Sequence, residues 1–103
     1  MNADNYPPLN VLSVVKGFDR AGLQHHITPY RIQNERGESL NVKEVRQVTQ
    51  HMVGGKLQYR YTVRTEQDFY LYIFFDAHTF TWRLIREVRD GVVTIEYEGV
   101  KYH

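Results

Sequence analysis

Residues 57–65 read LQYRYTVRT, and after a break of three residues positions 69–75 read FYLYIFF. In the first stretch apolar residues alternate with polar ones, which predicts a strand with one buried and one solvated face. The second stretch is apolar at every position, which predicts a central strand that is covered on both faces. Together the two segments indicate a sheet with a core rich in Tyr and Phe.

Shorter apolar runs on both sides of this pair predict further strands. They lie at 10–18, 26–34, 81–88 and 92–97. Turn residues recur between them at the spacing of about 8–12 residues that is typical of antiparallel β proteins. Among these turns, Asp90-Gly91 is a strong hairpin signal. Pro29 interrupts the run at 26–34, so this strand is expected at an edge or with a bulge, because proline cannot donate to a ladder.

The segment 40–52 allows two interpretations. Its apolar residues recur at spacings of three and four, as in a helix, at Val42, Val45, Val48 and Met52. The valines and Thr49 instead prefer a strand, and Gly54-Gly55 follows where a hairpin turn would connect to the next strand. We favour a bulged strand and keep a helix at about 41–52 as the alternative.

Length and composition fit one small folded domain. The chain has 103 residues, 42% of them hydrophobic and 14% aromatic, with a net charge of +1 and no cysteine. Disulfides and thiolate metal sites are therefore excluded. We expect a flexible N-terminal tail at 1–8 and a single β-rich domain at 9–103. The start of the chain lacks the features of a signal peptide, and no apolar run is long enough to span a membrane, so a cytoplasmic location is expected.

Several short motifs resemble a group of small uncharacterised bacterial β-rich proteins. They are Phe18-Asp19 with Gly22, Ile27-Thr28-Pro29-Tyr30, Gly54-Gly55, the run YRYTVR at 59–64, and Trp82. The resemblance covers most of residues 12–87 and implies a bacterial, single-domain, β-rich protein, without an activity to transfer. The pattern of strands also resembles a small SH3-like barrel. We therefore predict an all-β fold, an antiparallel meander that forms a small SH3-like barrel or a sandwich, with α+β as the alternative if 41–52 is a helix.

An arginine-bearing sheet face is the first candidate site. Arg60 and Arg64 share the polar side of strand 57–65, and further arginines lie on the segments expected to be its neighbours. The residues predicted to bind on this face are Arg46, Arg60, Arg64, Arg83, Tyr70 and Tyr72, with Arg86 close by. Arginines beside aromatic rings can hold a phosphate backbone and stack bases. The 13 basic and 12 acidic residues nearly cancel, which favours a solvated face of cross-strand ion pairs.

Metal and catalytic chemistry have weaker support. His78 and Asp76 are two residues apart and would be the ligands of a metal site if there is one, with His25, His26 or His51 as further ligands. The chain has no dedicated metal-binding spacing, nucleophile elbow or phosphate loop. We predict no catalytic residue and no cofactor.

The aromatic excess supports the leading functional hypothesis. Tyr and Trp are enriched at protein interfaces, so some of these rings are candidates for partner contacts. We predict a non-enzymatic protein-interaction or self-associating module, for which a homodimer is one form, and no membrane association. The alternatives are a nucleic-acid-associated module that uses the arginine-bearing face and a small metal-dependent hydrolase.

Overall fold

Seven antiparallel strands make up the part of the chain that the computed structural model describes, residues 6–15, 27–89 and 92–96. They are β1 (Pro8–Val15), β2 (Ile27–Gln33), β3 (Ser39–Val53), β4 (Lys56–Thr65), β5 (Tyr70–Asp76), β6 (Thr81–Arg89) and β7 (Val92–Glu96). These ranges contain no helix, so the all-β prediction is confirmed. They also contain no helix long and apolar enough to cross a membrane.

The first six strands close into a small barrel. Each strand pairs with its neighbour in the sequence, and β1 also pairs with β6 through Pro8 opposite Arg83 and Leu9 opposite Trp82. The Leu84 amide donates to the Pro7 carbonyl at 3.0 Å and extends this seam. Strand β7 pairs with the second half of β6, beyond the point where β1 ends its contact.

Residues 6–8, which the sequence places in a flexible tail, belong to the barrel. Tyr6 is buried, and its ring packs edge-on against Phe74 with centroids 5.3 Å apart. Pro8 can take part in the seam although it lacks an amide proton, because it lies at the first position of its strand. Residues 1–5 of the predicted tail lie outside the described residues.

Every second side chain along the strands points into the barrel and fills it, as the patterns at 57–65 and 69–75 predict. The core combines β4, β5 and β6 with single residues of β1 to β3: Leu9, Ile32, Leu40, Tyr61, Val63, Phe69, Leu71, Ile73, Phe75, Trp82 and Leu84. Trp82 contacts Tyr61 and Phe75, with ring centroids 5.2 and 5.1 Å apart. Burial raises the pKa of the Tyr61 hydroxyl, with a further contribution from Tyr59. That hydroxyl donates to the Ile27 carbonyl at 2.7 Å and so ties β2 to β4.

Two bulges in β3 explain its helix-like sequence. The register against β4 shifts between Val42 and Glu44 and again between Val45 and Gln47, so one extra residue is inserted each time. Because each insertion moves the alternation by one position, residues three apart all reach the inner face. Val42, Val45 and Val48 accordingly pack against the core. The preference for a bulged strand is confirmed, and the helix at 41–52 is wrong.

The predicted turns are hairpin turns where the structure describes them. Gly54 and Gly55 have φ angles of +57° and +77°, the left-handed pair that a two-residue type I′ turn requires. In the β2–β3 turn, the Asn34 side-chain oxygen accepts from the amides of Arg36 and Glu38 at 3.0 Å each. The predicted turn at Asp90-Gly91, and the candidate ligands His25 and His26, lie outside the described residues.

An ion-pair network joins β6 to the β2–β3 turn. Glu87 is 2% exposed, and Arg89 binds it with two hydrogen bonds of 3.0 and 3.2 Å. Arg89 also donates to Glu38 at 3.1 Å and lies over the Phe69 ring at 3.9 Å. The hydrogen bonds to Glu87 raise the pKa of the Arg89 guanidinium, against its partial desolvation. This network provides a counter-charge for a carboxylate that points into the core.

Candidate binding groove on the arginine face

The outward-facing residues of β3 to β6 form one continuous surface, which we call the arginine face. It carries all six residues predicted to bind, together with Arg86. Across β4 and β5, Arg64 lies opposite Tyr70, Thr62 opposite Tyr72 and Arg60 opposite Phe74. Across β5 and β6, Tyr72 lies opposite Arg86 and Phe74 opposite Arg83. The sheet therefore brings the predicted residues onto one side of the barrel, in three zones.

Acidic side chains neutralise the first zone, at the β4–β5 turn. Arg64 pairs with Asp68 at 3.0 Å, and Glu44 lies 4.0 Å from Arg64 and 3.5 Å from Arg46. Arg46 also donates to the Tyr70 hydroxyl at 3.1 Å. In this zone the structure has the solvated face of ion pairs that the charge balance favours. Contacts with each other and with carboxylates hold Arg46, Arg64 and Tyr70.

The second zone, at the seam of the barrel, is structural. Arg83 donates to the Tyr6 carbonyl at 2.7 Å, next to the buried pair of Tyr6 and Phe74. This contact uses Arg83 to hold the N-terminal segment on the barrel wall.

Between these two zones the face is concave. A groove of about 430 Å³ is lined by Gln47, Thr49, His51, Arg60, Tyr61, Thr62, Tyr72, Ile85 and Arg86. Two of these nine residues are arginines, and none is an aspartate or a glutamate. The predicted residues Arg60 and Tyr72 meet here, so the groove is the third zone and the candidate site.

Among the described side chains no carboxylate lies within 4.0 Å of either groove arginine, although Glu96 of β7 is opposite Arg86 in the register of the sheet. The guanidinium of Arg86 lies 4.2 Å from the centroid of the Tyr72 ring, a cation–π contact. The Nε atoms of Arg60 and Arg86, like that of Arg64 outside the groove, are buried and have no hydrogen-bond acceptor within the described structure. A buried donor without an acceptor costs about 1–3 kcal/mol. An oxyanion in the groove would supply acceptors for both guanidinium groups.

Small polar groups of β3 and β4 line the rest of the groove. Thr49 and His51 are hydrogen-bonded to each other, Oγ1 to Nε2, at 2.8 Å. With Gln47 and Thr62 they give the wall neutral donors and acceptors. The groove therefore combines two cations, the half-buried ring of Tyr72 and several neutral polar groups, which can bind an anion that also carries a flat ring.

Asp76 is the last residue of β5 and His78 lies in the β5–β6 turn, and neither lines the groove. The Asp76 carboxylate accepts from the amides of His78 at 2.8 Å and Thr79 at 3.4 Å, so it organises this turn. The His78 side chain is exposed. Within the described residues no group of three or more His, Cys, Asp or Glu side chains is placed to hold a metal ion.

The predicted set of six lacks two polar groove residues, His51 and Arg86, that lie on the outer face of the sheet. Arg86 faces outward because β6 has a register shift: Leu84 pairs with Ile73, Arg86 pairs with Tyr72, and Ile85 is the extra residue between them. Without this shift, Arg83 and Arg86 would lie on opposite faces of the sheet. Arg86 lies close to Arg83 in the sequence, which suggested that it could join the same surface. The bulge that places both side chains on one face was not predictable.

Known proteins give no information on function, so the proposal below rests on the fold and the groove. No family model matches the chain, and neither does any curated protein or solved structure. The fold and the groove define a small six-stranded antiparallel barrel with a basic, aromatic groove on its outer wall.

Proposed function

We propose that this barrel is a non-enzymatic binding module that holds single-stranded nucleic acid in the groove of its arginine face. The observation that carries the proposal is the pair Arg60 and Arg86, two guanidinium groups in one concave surface without a carboxylate partner among the described side chains. Elsewhere on the face, Arg64 is occupied by Asp68 and Arg83 by a backbone carbonyl. A phosphate group is the common biological anion that guanidinium groups bind best.

The ring of Tyr72 favours nucleic acid over a simple anion. It lies between Thr62 and Arg86 in the register of the sheet, on the floor of the groove. An aromatic ring or an arginine plane beside phosphate-binding groups is the arrangement that single-stranded nucleic-acid sites use to stack bases. The groove volume also falls in the range of about 300–1,000 Å³ of small-ligand pockets, so a nucleotide unit fits better than a duplex.

Because the net charge is only +1, we expect the binding site to neutralise few phosphates. Acidic residues neutralise the arginines near the β4–β5 turn, so on the arginine face the groove is where arginines without an acidic partner meet. We therefore expect a contact with about two phosphates and modest affinity. A cytoplasmic protein, as the sequence predicts, would meet single-stranded RNA in that compartment.

Salt dependence tests the proposal directly. Fluorescence anisotropy with a labelled single-stranded oligonucleotide is measured from low to physiological salt. Two neutralised phosphates give a slope of log affinity against log salt of about −1.4, because each contributes about −0.7 for a single strand. Arg60→Gln and Arg86→Gln should each lower affinity about fivefold and bring the slope to about −0.7.

Arg31→Gln is the matched control. Arg31 is an exposed arginine of β2 that donates to Asn41 at 3.1 Å, outside the groove, and its loss changes the net charge equally. Affinity and slope should stay at the values of the unchanged protein. The proposal fails if no salt-sensitive binding appears at low ionic strength. It also fails if Arg31→Gln weakens binding as much as Arg60→Gln, or if an acidic peptide binds as tightly as the oligonucleotide.

A further inference from the structure

A two-stranded ribbon extends from the barrel on the side of the β1–β6 seam. It consists of residues 11–15 of β1 and their partners at 27–32 of β2, which we call the β1–β2 ribbon. Strand β6 begins at Thr81, one residue before the partner of Leu9, so β1 continues past the end of β6. Strand β2 pairs with β3 only through residues 31–33. Within the described structure, residues 11–15 therefore have a strand partner on the β2 side alone.

The residues that β1 contributes to the outward face of this ribbon are apolar, and β2 adds the exposed Arg31 opposite Leu12. On this face Leu12 is 64% exposed and Val14 47%, while the exposed Val15 lies on the opposite face of the strand. The inward face is anchored, because Val11 and Ile27 pack against the core and the Ile27 carbonyl accepts from Tyr61. An unpaired edge beside exposed apolar side chains is what proteins usually protect with charges, a proline or a bulge. Residues 11–15, with the sequence VLSVV, carry no charge and no proline, and the bulge in the ribbon inserts its extra residue, Tyr30, into β2 and leaves β1 regular.

We infer that β1 is the interface of a homodimer, in which residues 11–15 of two copies pair antiparallel about a two-fold axis at Ser13. The four-stranded sheet β2–β1–β1–β2 that results would complete both ribbons. Two strands alone are marginally stable in water, whereas more strands with an apolar face are stable. The inference is independent of the groove, which lies on β3 to β6.

Symmetry and charge favour a second copy as the occupant. A two-fold interface is self-complementary, so each residue must suit the residue that lies opposite. With Ser13 opposite Ser13, Leu12 of one copy lies opposite Val14 of the other, and Val11 lies opposite Val15. Every pair in this register is apolar or a pair of serines. A charged partner surface would instead lose hydration against this uncharged strand without gaining a counter-charge.

The register makes a sharp experiment possible with two variants, Leu12→Glu and Val14→Lys. Light scattering coupled to size exclusion, at protein concentrations from about 10 to 200 μM, should give twice the 12.3 kDa chain mass for the unchanged protein. Each variant alone should be monomeric, with dimerisation weakened at least about tenfold, because a charge meets an apolar side chain at both symmetric positions. Thermal unfolding of each monomer establishes that it is folded.

Mixing the two variants should restore a dimer of one chain of each kind. In that pair the new carboxylate faces the new ammonium at one position, and the original Leu12 and Val14 face each other at the other. Met52→Lys is the control, since Met52 is 64% exposed on the far end of β3 and should leave the dimer unchanged. A monomeric unchanged protein over the whole concentration range overturns the inference. So does a dimer that both charged variants retain, or a mixture of folded variants that stays monomeric.

Discussion

The guanidinium group of Arg89 holds the carboxylate of Glu87 through two hydrogen bonds, at 3.0 and 3.2 Å, inside the apolar end of the barrel. Glu87 lies opposite Leu71 in the sheet and is almost fully buried. A second arginine, Arg36, is 3.9 Å from the same carboxylate. Such a pair need not stabilise the protein more than two apolar residues would, but loss of one partner leaves a buried charge uncompensated.

Replacement of Arg89 alone should therefore be costly. We expect Arg89→Met to lower the free energy of unfolding by about 3 kcal/mol, because Glu87 keeps only the longer contact to Arg36. The double change Glu87→Met with Arg89→Met should recover part of that loss, since no buried charge is left. Urea unfolding measures the free energy of unfolding of both variants. Arg31→Met, at an exposed position, is the control and should stay within about 0.5 kcal/mol of the unchanged protein. A double variant less stable than the single one contradicts the argument.

Glu38 links this network to acid stability. Partial desolvation acts to raise the pKa of Glu38, but the hydrogen bond from Asn34 and the charges of Arg89 and Arg36 outweigh it and hold the pKa below its ordinary value of 4.5. A carboxyl group whose pKa is lowered by folding stabilises the protein above its unfolded pKa and loses that contribution as pH falls through the folded value. The loss is therefore expected below about pH 4.5.

Glu38→Gln should remove this part of the acid sensitivity. The variant should be less stable than the unchanged protein at pH 7. This difference in stability should narrow as pH falls below 4.5, and urea midpoints at each pH measure it. Glu35→Gln, an exposed neighbour in the same turn, is the control and should show a constant, small difference. If the Glu38→Gln difference is equally large at pH 3 and pH 7, the carboxylate charge is not what stabilises the turn.

The Gly54-Gly55 turn fixes the register of the long β3–β4 hairpin. A Cβ added at either glycine meets no atom within 4 Å, so only the positive φ angles oppose substitution. Gly55→Ala should cost about 1 kcal/mol, since alanine is strained in the left-handed region. Gly54→Asn should be close to neutral because Asn-Gly is a preferred type I′ pair. Thermal unfolding of both variants measures the two losses of stability. Equal losses would contradict the argument that the type I′ turn decides which residues are tolerated.

Local sequence predicts most of the strands and an antiparallel barrel or sandwich, but not the residues that close the barrel. The alternation at 57–65 and the apolar run at 69–75 identify β4 and β5 because burial imposes a period of two directly on the residues. Closure depends on Tyr6, Pro7 and Pro8, whose composition is typical of a tail. Only tertiary contacts, the Tyr6–Phe74 ring pair and the seam with β6, make them part of the fold.

The candidate groove shows the same division between local and tertiary information. Arg60 and Tyr72 are predictable because period two places them on the outer faces of β4 and β5. Arg86 joins them through the extra residue Ile85, and a single inserted residue leaves no reliable mark in the sequence. The carboxylates that occupy Arg64 come from a bulged strand and a turn, so which arginines stay without acidic partners depends on the three-dimensional register.

The role of the Tyr72 ring in the groove can be separated from the role of charge. Tyr72→Leu should weaken binding of a single-stranded oligonucleotide about tenfold, because one stacked base contributes about 1–3 kcal/mol. The salt slope should stay near −1.4, since tyrosine neutralises no phosphate and both arginines remain. Tyr72→Phe keeps the ring and should bind as the unchanged protein does. Phe80→Leu removes an exposed ring of the β5–β6 turn, outside the groove, and should have no effect. A slope that falls with Tyr72→Leu would mean that the ring acts by positioning Arg86, to which it lies at 4.2 Å, and not by stacking a base.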